Sequence, residues 1–295
     1  MHISGTYPML YAFFDEGGCL RREAFLRQIE AAVACGASGI ACLGLATEAH
    51  KMGLEERRHV VDWVIADTAG RLPVAVTIAD GNLPDMIASA RHAEAAGAGW
   101  LILQPPRPPA SGADLIEFFA AVAAATTLPC AIQNAPEFLG LGLTPDELLA
   151  LNHRQPNIRV VKGEATATII GQVVAALAGR MTVMNGRAGL ELTDNYRAGV
   201  VGMIPGIEMI DAQVAVERAM RAGDETLAEA IYAGILPTIA FVMQGIGPLL
   251  TYGKLIAALR LGIAPSARRI PANTATEQGV AWATRLAASL GPLPA

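Results

Sequence analysis

The stretch VACGASGIACLG, residues 33–44, joins the end of a helical pattern to a run of strand length through a single glycine. The same order recurs in EAAGAGWLILQ at 94–104 and in YRAGVVGMIPG at 196–206. The glycines Gly36, Gly97 and Gly199 are typical of helix C-caps, and each leads into an apolar run that favours a buried strand. The repeat predicts helices that return the chain, again and again, to one sheet.

Five further segments have strand character. Four follow a short turn, namely RLPVAVTIAD, TLPCAIQN, NIRVVKGE and RMTVMNGR, and the fifth is TYPMLYAF at 6–13, which gives eight candidate strands in all. Apolar residues at three- and four-residue spacing predict amphipathic helices between them. These are REAFLRQIEAAVAC (22–35), LEERRHVVDWVIADTA (54–69), PDMIASARHAEAA (84–96) and ADLIEFFAAVAAAT (113–126). In LTPDELLAL, Thr144 is the predicted N-cap and Pro145 the first helical residue.

Strand–helix alternation of this kind predicts parallel strands with helical crossovers. We therefore expect an α/β fold, a (βα)8 TIM barrel over residues 1–206. Residues 207–295 are expected to form a C-terminal helical extension packed on the barrel. The alternative, a doubly wound open sheet, lacks a G-x-G-x-x-G segment after a strand.

The composition argues against several classes of partner. A net charge of −5, the lack of a basic run and an aromatic content of 5% do not fit nucleic-acid binding. The cysteines Cys19, Cys35, Cys42 and Cys130 have no metal or disulfide spacing, so we expect free buried thiols. The N-terminal stretch lacks the pattern of a signal peptide, and a cytoplasmic location is expected.

One segment resembles a membrane span. Residues 230–253 carry no charge over 24 positions, which is long enough to cross a bilayer. Pro237, Gln244, Gly245 and Pro248 interrupt it, and it stands alone. We predict a buried helix pair in a soluble fold rather than a membrane protein.

In a (βα)8 barrel the functional groups lie at the carboxyl ends of the strands. Lys162 is the only lysine at such an end, and the chain has just two others, Lys51 and Lys254. Loss of hydration in a barrel mouth favours the neutral amine, which can attack a 2-oxo acid and form a Schiff base. The alternatives are an ion pair with Glu164 or a side chain that snorkels to solvent.

Three motifs resemble segments of the dihydrodipicolinate synthase / N-acetylneuraminate lyase family. The match as a whole runs in order along residues 5–265. VVKGEAT (160–166) resembles its Schiff-base segment, GLATEAHKMGLEER (44–57) the G-T/S-T-G-E…L…E-R segment, and AIQNAP (131–136) the Y-N-x-P segment. The resemblance implies a (βα)8 barrel with C-terminal helices, usually tetrameric. It also implies a class I lyase acting on pyruvate or a pyruvate-derived 2-oxo acid, with Lys162 as the Schiff-base lysine.

The sequence departs from the family pattern at the substrate. Leu45 and Ala46 stand where two hydroxyl residues usually hold the substrate carboxylate, and Thr47 replaces the next glycine. Gln133 replaces the tyrosine that passes protons, and Phe138 stands where dihydrodipicolinate synthase has an arginine. An amide cannot titrate as a phenol does, so Gln133 can position a hydroxyl but cannot serve as an acid or base. Condensation with aspartate semialdehyde is therefore not expected.

Gln133 and Glu164 are similar to a smaller branch, the L-2-keto-3-deoxyarabonate dehydratases. The Q-D-A-P segment of that branch resembles Gln133–Pro136, and it too has a glutamate two residues after the lysine. On a strand this spacing puts both side chains on one face. Glu164 can then be the base that removes the C3 proton, or only the neutralising partner of Lys162.

The other strand ends supply weaker candidates. Thr47 is a candidate carboxylate ligand or the N-cap of the helix near Leu54, and Glu48 is expected to brace its loop by accepting backbone N–H bonds. Arg107, which stands where the family has a second tyrosine, and Arg187 are candidates for an acid or for sugar hydroxyls. The predicted substrate-contacting residues are Gly44, Ala46, Thr47, Asn134, Asn185, Gly186 and Ile204.

These residues favour a lyase that dehydrates a 2-keto-3-deoxy sugar acid. A pyruvate-dependent aldolase of the same family and a non-catalytic 2-oxo acid sensor are the alternatives. No cofactor or metal is required, because the lysine itself is the electron sink. We expect a homo-oligomer, a tetramer or a dimer, with neither a nucleic acid nor a membrane as partner.

Overall fold

The fold is a closed barrel of parallel strands. The computed structural model describes residues 2–106, 111–264 and 269–294. Eight parallel strands pair in the order β1-β8-β7-β6-β5-β4-β3-β2. They are β1 Gly5–Thr6, β2 Ile40–Cys42, β3 Val74–Ile78, β4 Trp100–Leu103, β5 Cys130–Asn134, β6 Ile158–Gly163, β7 Thr182–Asn185 and β8 Gly202–Met203. The predicted TIM barrel of eight parallel strands is confirmed, but β1 ends at Thr6 and so overlaps the segment predicted at 6–13 by one residue only.

Strands β1 and β2, the first and the last in this order, are joined through the residues that follow the short β1. Met9 forms a parallel bridge to Ala41, and the N–H of Leu10 donates to the carbonyl of Ala41 at 2.9 Å. The strands are apolar runs with both faces covered; every residue of β3 and β4, for example, is buried. Strands of a parallel sheet need such continuous apolar sequence, because helices cover one face and the barrel core fills the other.

Helices follow the strands in alternation and continue after them. They are α1 Arg22–Cys35, α2 Leu54–Thr68, α3 Leu83–Ala96, α4 Gly112–Ala123, α5 Pro136–Leu139, α6 Pro145–Arg154, α7 Ala167–Leu177, α8 Leu192–Arg197, α9 Ile210–Ala222, α10 Glu225–Val242, α11 Ile246–Pro248, α12 Lys254–Leu261 and α13 Glu277–Leu290. The predicted bounds of α1 are confirmed. Helix α4 ends three residues before its predicted end, since the hydroxyl of Thr126 bonds the backbone N–H of Leu128 at 3.2 Å.

The predicted caps form by the expected chemistry. Gly36 and Gly97 end their helices in the left-handed region, with φ of 73° and 105°. Gly199 has φ of 95°, but it stands one residue beyond the cap position of α8, which is Ala198. Thr144 accepts from the N–H of Glu147, whose carboxylate accepts from the N–H of Thr144 at 2.7 Å, so the predicted N-cap is half of a reciprocal capping box.

The last helices lie against the barrel. Helix α9 follows β8 and contacts both β1 and α1, so it completes the eighth β–α unit. The predicted boundary at residue 206 falls inside that unit, between β8 and α9. Helices α12 and α13 pack on each other. The division into a barrel and a separate helical extension stays a prediction.

The uncharged segment 230–253 forms the end of α10, the short α11 and a π-helical turn, Leu249–Gly253. Helix α10 is long and apolar enough to cross a membrane by length and composition alone, which is weak support for a span. Only 28% of the residues of this helix are buried, and Leu227 and Leu236 are exposed. The expectation of a buried helix pair is therefore wrong for α10, because one of its faces is covered by nothing in the described part of the chain.

The cysteines are only partly as expected. Cys42 and Cys130 are buried in the barrel wall, and burial raises the pKa of each thiol to about 12. Cys35 is half-buried, and burial raises its pKa to about 11. Cys19, however, is exposed, since it lies in the loop before α1 and not in a strand.

Candidate active site

Two neighbouring strands bring the central residues together. Lys162 and Gln133 are direct partners in the register of β6 and β5, and Glu164 follows β6 by one residue. The N–H of Glu164 donates to the carbonyl of Asn134 at 3.0 Å, so the backbone stays extended beyond the strand. All three side chains lie at the carboxyl end of the barrel, where such barrels hold their active sites.

Lys162 and Glu164 form a buried ion pair. The ammonium nitrogen lies 2.7 Å from Oε1 of Glu164, and the two side chains are only 5% and 7% exposed. A lysine that snorkelled to solvent would have an exposed end, so that alternative is wrong. A pair this short and this shielded from water can pass a proton directly between nitrogen and oxygen.

A chain of amides fixes the carboxylate. Gln133 donates from Nε2 to Oε2 of Glu164 at 3.2 Å, and Gln104 donates from Nε2 to Oε1 of Gln133 at 2.9 Å. A carboxylate only accepts hydrogen bonds, so Gln133 must turn its NH2 group toward Glu164 and its carbonyl toward Gln104. The negative charge on Glu164 therefore sets the donor-to-acceptor direction of both hydrogen bonds between these side chains.

Gly186 makes room for this carboxylate. A β-carbon on residue 186 would lie 2.5 Å from both Cγ and Oε1 of Glu164, which no real side chain tolerates. Gly186 was predicted to contact the substrate. In the structure the group that approaches it is Glu164, after β6, and the N–H of Gly186 donates to the carbonyl of Gly163 at 3.1 Å.

The reaction pocket is narrow, with a volume of about 40 Å³. Lys162 and Glu164 share it with Ala46 and Ile204, which were predicted to contact substrate. Its remaining walls are mainly apolar and come from the segments after β1, β2, β5 and β8 and from the turn after α10. They include Met9, Leu45, Phe138, Pro205, Met243, Ile246 and Leu249.

The loop after β2 holds its shape by its own bonds. Gly44 donates from its N–H to the sulfur of Met9 at 3.2 Å, and the Thr47 hydroxyl donates to the carbonyl of Leu10 at 2.6 Å. The predicted role of Thr47 as a helix N-cap is wrong: the cap of α2 is Gly53, whose N–H donates to the carboxylate of Glu56. A role of Thr47 at the substrate stays a prediction.

Glu48 braces this loop through ammonium groups and not, as expected, through backbone N–H groups. Lys51 lies 2.5 Å from Oε1 of Glu48, and Lys254 of α12 contacts Oε2. Glu48 itself has φ of 59°, a left-handed conformation that is uncommon for a residue with a side chain. We call Glu48, Lys51 and Lys254 the ammonium cluster.

Asn134 and Asn185 sit behind the pocket and not on its surface. Asn134 accepts from the N–H of Leu143 at 2.8 Å and donates to its carbonyl at 2.9 Å, which fixes the loop before α6. Asn185 is fully buried, and its NH2 donates to Asn195 at 3.3 Å. Contact of either residue with substrate stays a prediction.

Arg187 lines the pocket, whereas Arg107 lies outside the described residues. The guanidinium of Arg187 is 3.3 Å from Glu191 and 3.7 Å from Glu137. Arg187 and Ala188 both have positive φ, 53° and 49°. Two adjacent side-chain residues in that region store strain, which often marks a functional site.

Sequence reasoning missed two groups near the pocket. Gln104 was recognised only as a strand end, and its partner 29 residues away could not be read from the chain. Tyr11 donates to the carboxyl of Glu208 at 3.0 Å, and a β-carbon on Gly206, a pocket residue, would touch both side chains. Burial raises the pKa of Glu208, and burial together with the Glu208 charge raises the pKa of Tyr11.

The arrangement therefore offers a nucleophile, a base within proton-transfer distance and a fixed amide donor. Neutral lysine can attack a carbonyl carbon, and the carboxylate can take the proton that the lysine gives up. Among the described residues no group of three or more His, Cys, Asp or Glu side chains has the geometry to hold a metal ion.

Comparison with known proteins identifies a family. The model of the dihydrodipicolinate synthetase family matches residues 2–281. The 4-hydroxy-tetrahydrodipicolinate synthase of Agrobacterium fabrum is 29% identical over 75% of this chain and 76% of its own. YagE of Escherichia coli, named provisionally as a 2-dehydro-3-deoxy-D-gluconate aldolase, is 30% identical over about half of each chain (54% and 53%). The crystal structure of YagE in complex with pyruvate has a TM-score of 0.89 over 98% of this chain and 99% of its own, at 24% identity.

Proposed function

Because the chain belongs to the dihydrodipicolinate synthetase family, an enzyme family of class I Schiff-base lyases and aldolases, we propose that it dehydrates a 2-keto-3-deoxy sugar acid on Lys162. The observation that carries the proposal is the buried Lys162–Glu164 pair, with its 2.7 Å contact. It supplies the amine and the base that this reaction needs, side by side. The membership in the L-2-keto-3-deoxyarabonate dehydratase-like branch is part of the proposal.

Imine formation uses the pair first. Only the neutral amine attacks C2 of the 2-oxo acid, so the ammonium of Lys162 must lose a proton, and Oε1 of Glu164 is within reach of it. The carbinolamine then loses its hydroxyl as water, with a proton that Glu164 can return. The product is a protonated imine between C2 and Lys162.

Elimination uses the same carboxylate again. Glu164 removes a proton from C3. The electron pair of the broken C–H bond forms the C2–C3 double bond of an enamine, because the protonated imine accepts electrons. The enamine pushes out the C4 hydroxyl, which leaves as water once it has taken up a proton. Hydrolysis of the unsaturated imine then releases the dehydrated 2-oxo acid and restores the lysine. Gln133, held by Gln104, keeps the carboxylate in place throughout.

The backbone can replace the lost hydroxyl residues that hold the substrate carboxylate. In the described part of the chain, the N–H groups of Leu45 and Ala46 find no acceptor. Both residues line the reaction pocket together with Lys162. Two such N–H groups suit a carboxylate, and they do not depend on the side chains that this sequence has changed.

Aldol cleavage of the same kind of acid is the second candidate. It starts from the same imine and breaks the C3–C4 bond instead of expelling the C4 hydroxyl. The similarity to YagE, an aldolase by its provisional name, favours it. Against it stands Gln133, an amide where the proton-passing tyrosine is expected. Condensation as in the relatives named 4-hydroxy-tetrahydrodipicolinate synthase is less consistent with Phe138.

Borohydride trapping tests the imine, and product analysis tests the reaction. The protein is treated with borohydride and either pyruvate or one of a panel of 2-keto-3-deoxy acids, then digested and weighed. We expect an adduct on the Lys162 peptide and none on the Lys51 and Lys254 peptides, which serve as internal controls. Without borohydride, loss of 18 mass units from the substrate indicates dehydration, and release of pyruvate indicates aldol cleavage.

Saturable binding without an adduct or a product from any acid in the panel would overturn the enzyme proposal in favour of a 2-oxo acid sensor. We also propose a cytoplasmic homo-oligomer, a tetramer or a dimer. Light scattering on the purified protein measures the oligomeric state. Recovery in washed membranes would contradict the location.

A further inference from the structure

We propose a second binding site, for a small carboxylic acid with an apolar body, in a cavity beside the reaction pocket. The cavity has a volume of about 480 Å³, roughly twelve times that of the reaction pocket at about 40 Å³. Pockets of a few hundred cubic ångströms are typical of sites that enclose a small organic ligand. The site is independent of the proposed reaction.

The walls of the cavity are mostly apolar. They come from the loop after β1, the π-helical turn, α12 and α13, and they include Phe13, Leu250, Leu255, Ala258 and Val280. Phe13 is almost fully buried and presents an aromatic surface. An aliphatic or aromatic body can therefore be buried here, and the removal of its apolar surface from water favours binding.

One end of the cavity is charged. All three members of the ammonium cluster line it, with side chains only 4–12% exposed. Two ammonium groups face one carboxylate, and the nearby Arg269 pairs with Glu56 at 2.7 Å. Summed over these five described side chains, the formal charges leave one positive charge in excess, and a buried excess charge favours a ligand of opposite charge.

The number of hydrogen-bond donors agrees with this charge count. An ammonium group has three donors. Lys51 uses two of them within the described residues, one to Glu48 and one to the carbonyl of Arg269 at 3.1 Å. One donor is left for a ligand oxygen. A monocarboxylate would balance the charge, whereas a phosphate dianion would reverse it.

The cavity shares structural elements with the reaction pocket. Ile246 lines both, and the adjacent Leu249 and Leu250 line one each. The loop after β2 is shared in the same way, with Leu45 and Ala46 on the reaction pocket and Glu48 and Lys51 on the cavity. A ligand that draws Lys51 toward itself would therefore move the loop whose Leu45 and Ala46 line the reaction pocket.

Calorimetry with 4-phenylbutanoate, compared with 4-phenylbutanol, tests the site. The acid cannot form an imine, so its binding does not depend on the proposed reaction. We expect the acid to bind at least tenfold more tightly than the alcohol. Thr251→Phe, which fills the cavity, and Lys51→Met, which removes a charge, should each weaken binding of the acid at least tenfold.

Lys162→Ala and Arg91→Met, a loss of charge on the exposed face of α3, should bind the acid within twofold of the unchanged protein. Circular dichroism verifies that each variant is folded. If Lys51→Met does not fold, the affinity of Thr251→Phe for the acid tests the proposal on its own. The proposal is overturned if the acid does not bind, if the alcohol binds as well, if Thr251→Phe leaves binding intact, or if Lys162→Ala abolishes it.

Discussion

The two ends of the loop after β2 each lie beside a buried group of lysine and glutamate side chains. The two groups differ in the ratio of ammonium to carboxylate. At the reaction pocket one ammonium, Lys162, meets one carboxylate, Glu164, which also accepts from an amide. In the ammonium cluster two ammonium groups share the single carboxylate of Glu48. Burial is similar in both, so burial alone does not distinguish a reactive lysine from a structural one.

The proportions decide what each group can do. A single pair can pass a proton from nitrogen to oxygen and become neutral on both sides without leaving a charge behind. In the ammonium cluster the same transfer would leave the second ammonium buried without its carboxylate. We infer that the one-to-one pair is suited to chemistry and that the two-to-one cluster is suited to holding the fold and an anion.

Replacing the reactive lysine should have the largest effect. We expect Lys162→Met to lower turnover at least about 10⁴-fold, because no other lysine among the described residues lines the reaction pocket. The double variant Lys162→Met/Glu164→Gln is the matched control: it removes the carboxylate left without a partner and should be as inactive but more stable. Initial rates and urea unfolding measure the two effects. Turnover in either variant above a hundredth of normal would contradict the imine.

Removing the shared carboxylate should act on stability instead. Glu48→Gln removes the carboxylate that the ammonium groups of Lys51 and Lys254 share, and we expect the free energy of unfolding to fall by about 3–5 kcal/mol. Glu164→Gln leaves one lysine that can become neutral, so it should cost clearly less. Urea unfolding of both variants under one condition provides the comparison. Equal costs would show that the two groups do not differ as proposed.

The base can be separated from a merely neutralising partner by Glu164→Gln. We expect turnover to fall at least about 10²-fold, as for a lost general base, while borohydride still traps an adduct, more slowly, at Lys162. Glu137→Gln, which changes a half-exposed carboxylate near Arg187, is the control. If Glu164→Gln stayed within threefold of normal turnover, the role of this residue would be to neutralise Lys162 and no more.

A smaller effect is expected where the backbone makes room for the base. Gly186→Ala places a β-carbon 2.5 Å from the Glu164 carboxyl, and we expect a tenfold to hundredfold loss of turnover as that carboxyl shifts. Gly234→Ala, in α10 with no atom near the added carbon, should retain turnover and be about 0.5–1 kcal/mol more stable. Steady-state rates with thermal unfolding distinguish the two. Normal turnover in Gly186→Ala would mean that the carboxyl need not lie there.

The smallest effect concerns Glu208, a buried carboxyl that accepts a hydrogen bond from the Tyr11 hydroxyl. Burial raises the pKa of Glu208, so its protonated form is favoured in the folded state, and its contribution to stability is lost as the pH rises through that raised pKa. Glu208→Gln cannot ionise and should gain on the unchanged protein between pH 5 and pH 8. Unfolding free energies at both pH values measure this gain. A gain that shrank with rising pH would contradict the assignment.

The sequence was sufficient for what depends on local pattern. Apolar runs and capping residues such as Gly36 and Thr144 specified the elements, because their physics acts within a few residues. The spacing of Lys162 and Glu164 on one strand predicted their contact for the same reason. The family resemblance assigned roles to residues at the strand ends.

What the sequence could not provide was pairing across the fold. Gln104 supports Gln133 from the adjacent strand, and Lys254 reaches Glu48 from 206 positions away. Thr47 has the composition of an N-cap, yet its hydroxyl is taken by the carbonyl of Leu10. Such choices depend on which group lies nearest in space, and a single sequence does not contain that information.

The scarcity of lysine has a consequence for handling the protein. Its three lysines are all held in the interior, with side chains 5–12% exposed. Amine-directed crosslinkers and dyes should therefore find almost no side-chain target on the folded chain, and attachment to a surface through lysine would select molecules that have opened. The rate at which such a reagent acylates each lysine would therefore measure how often the structure around that lysine opens.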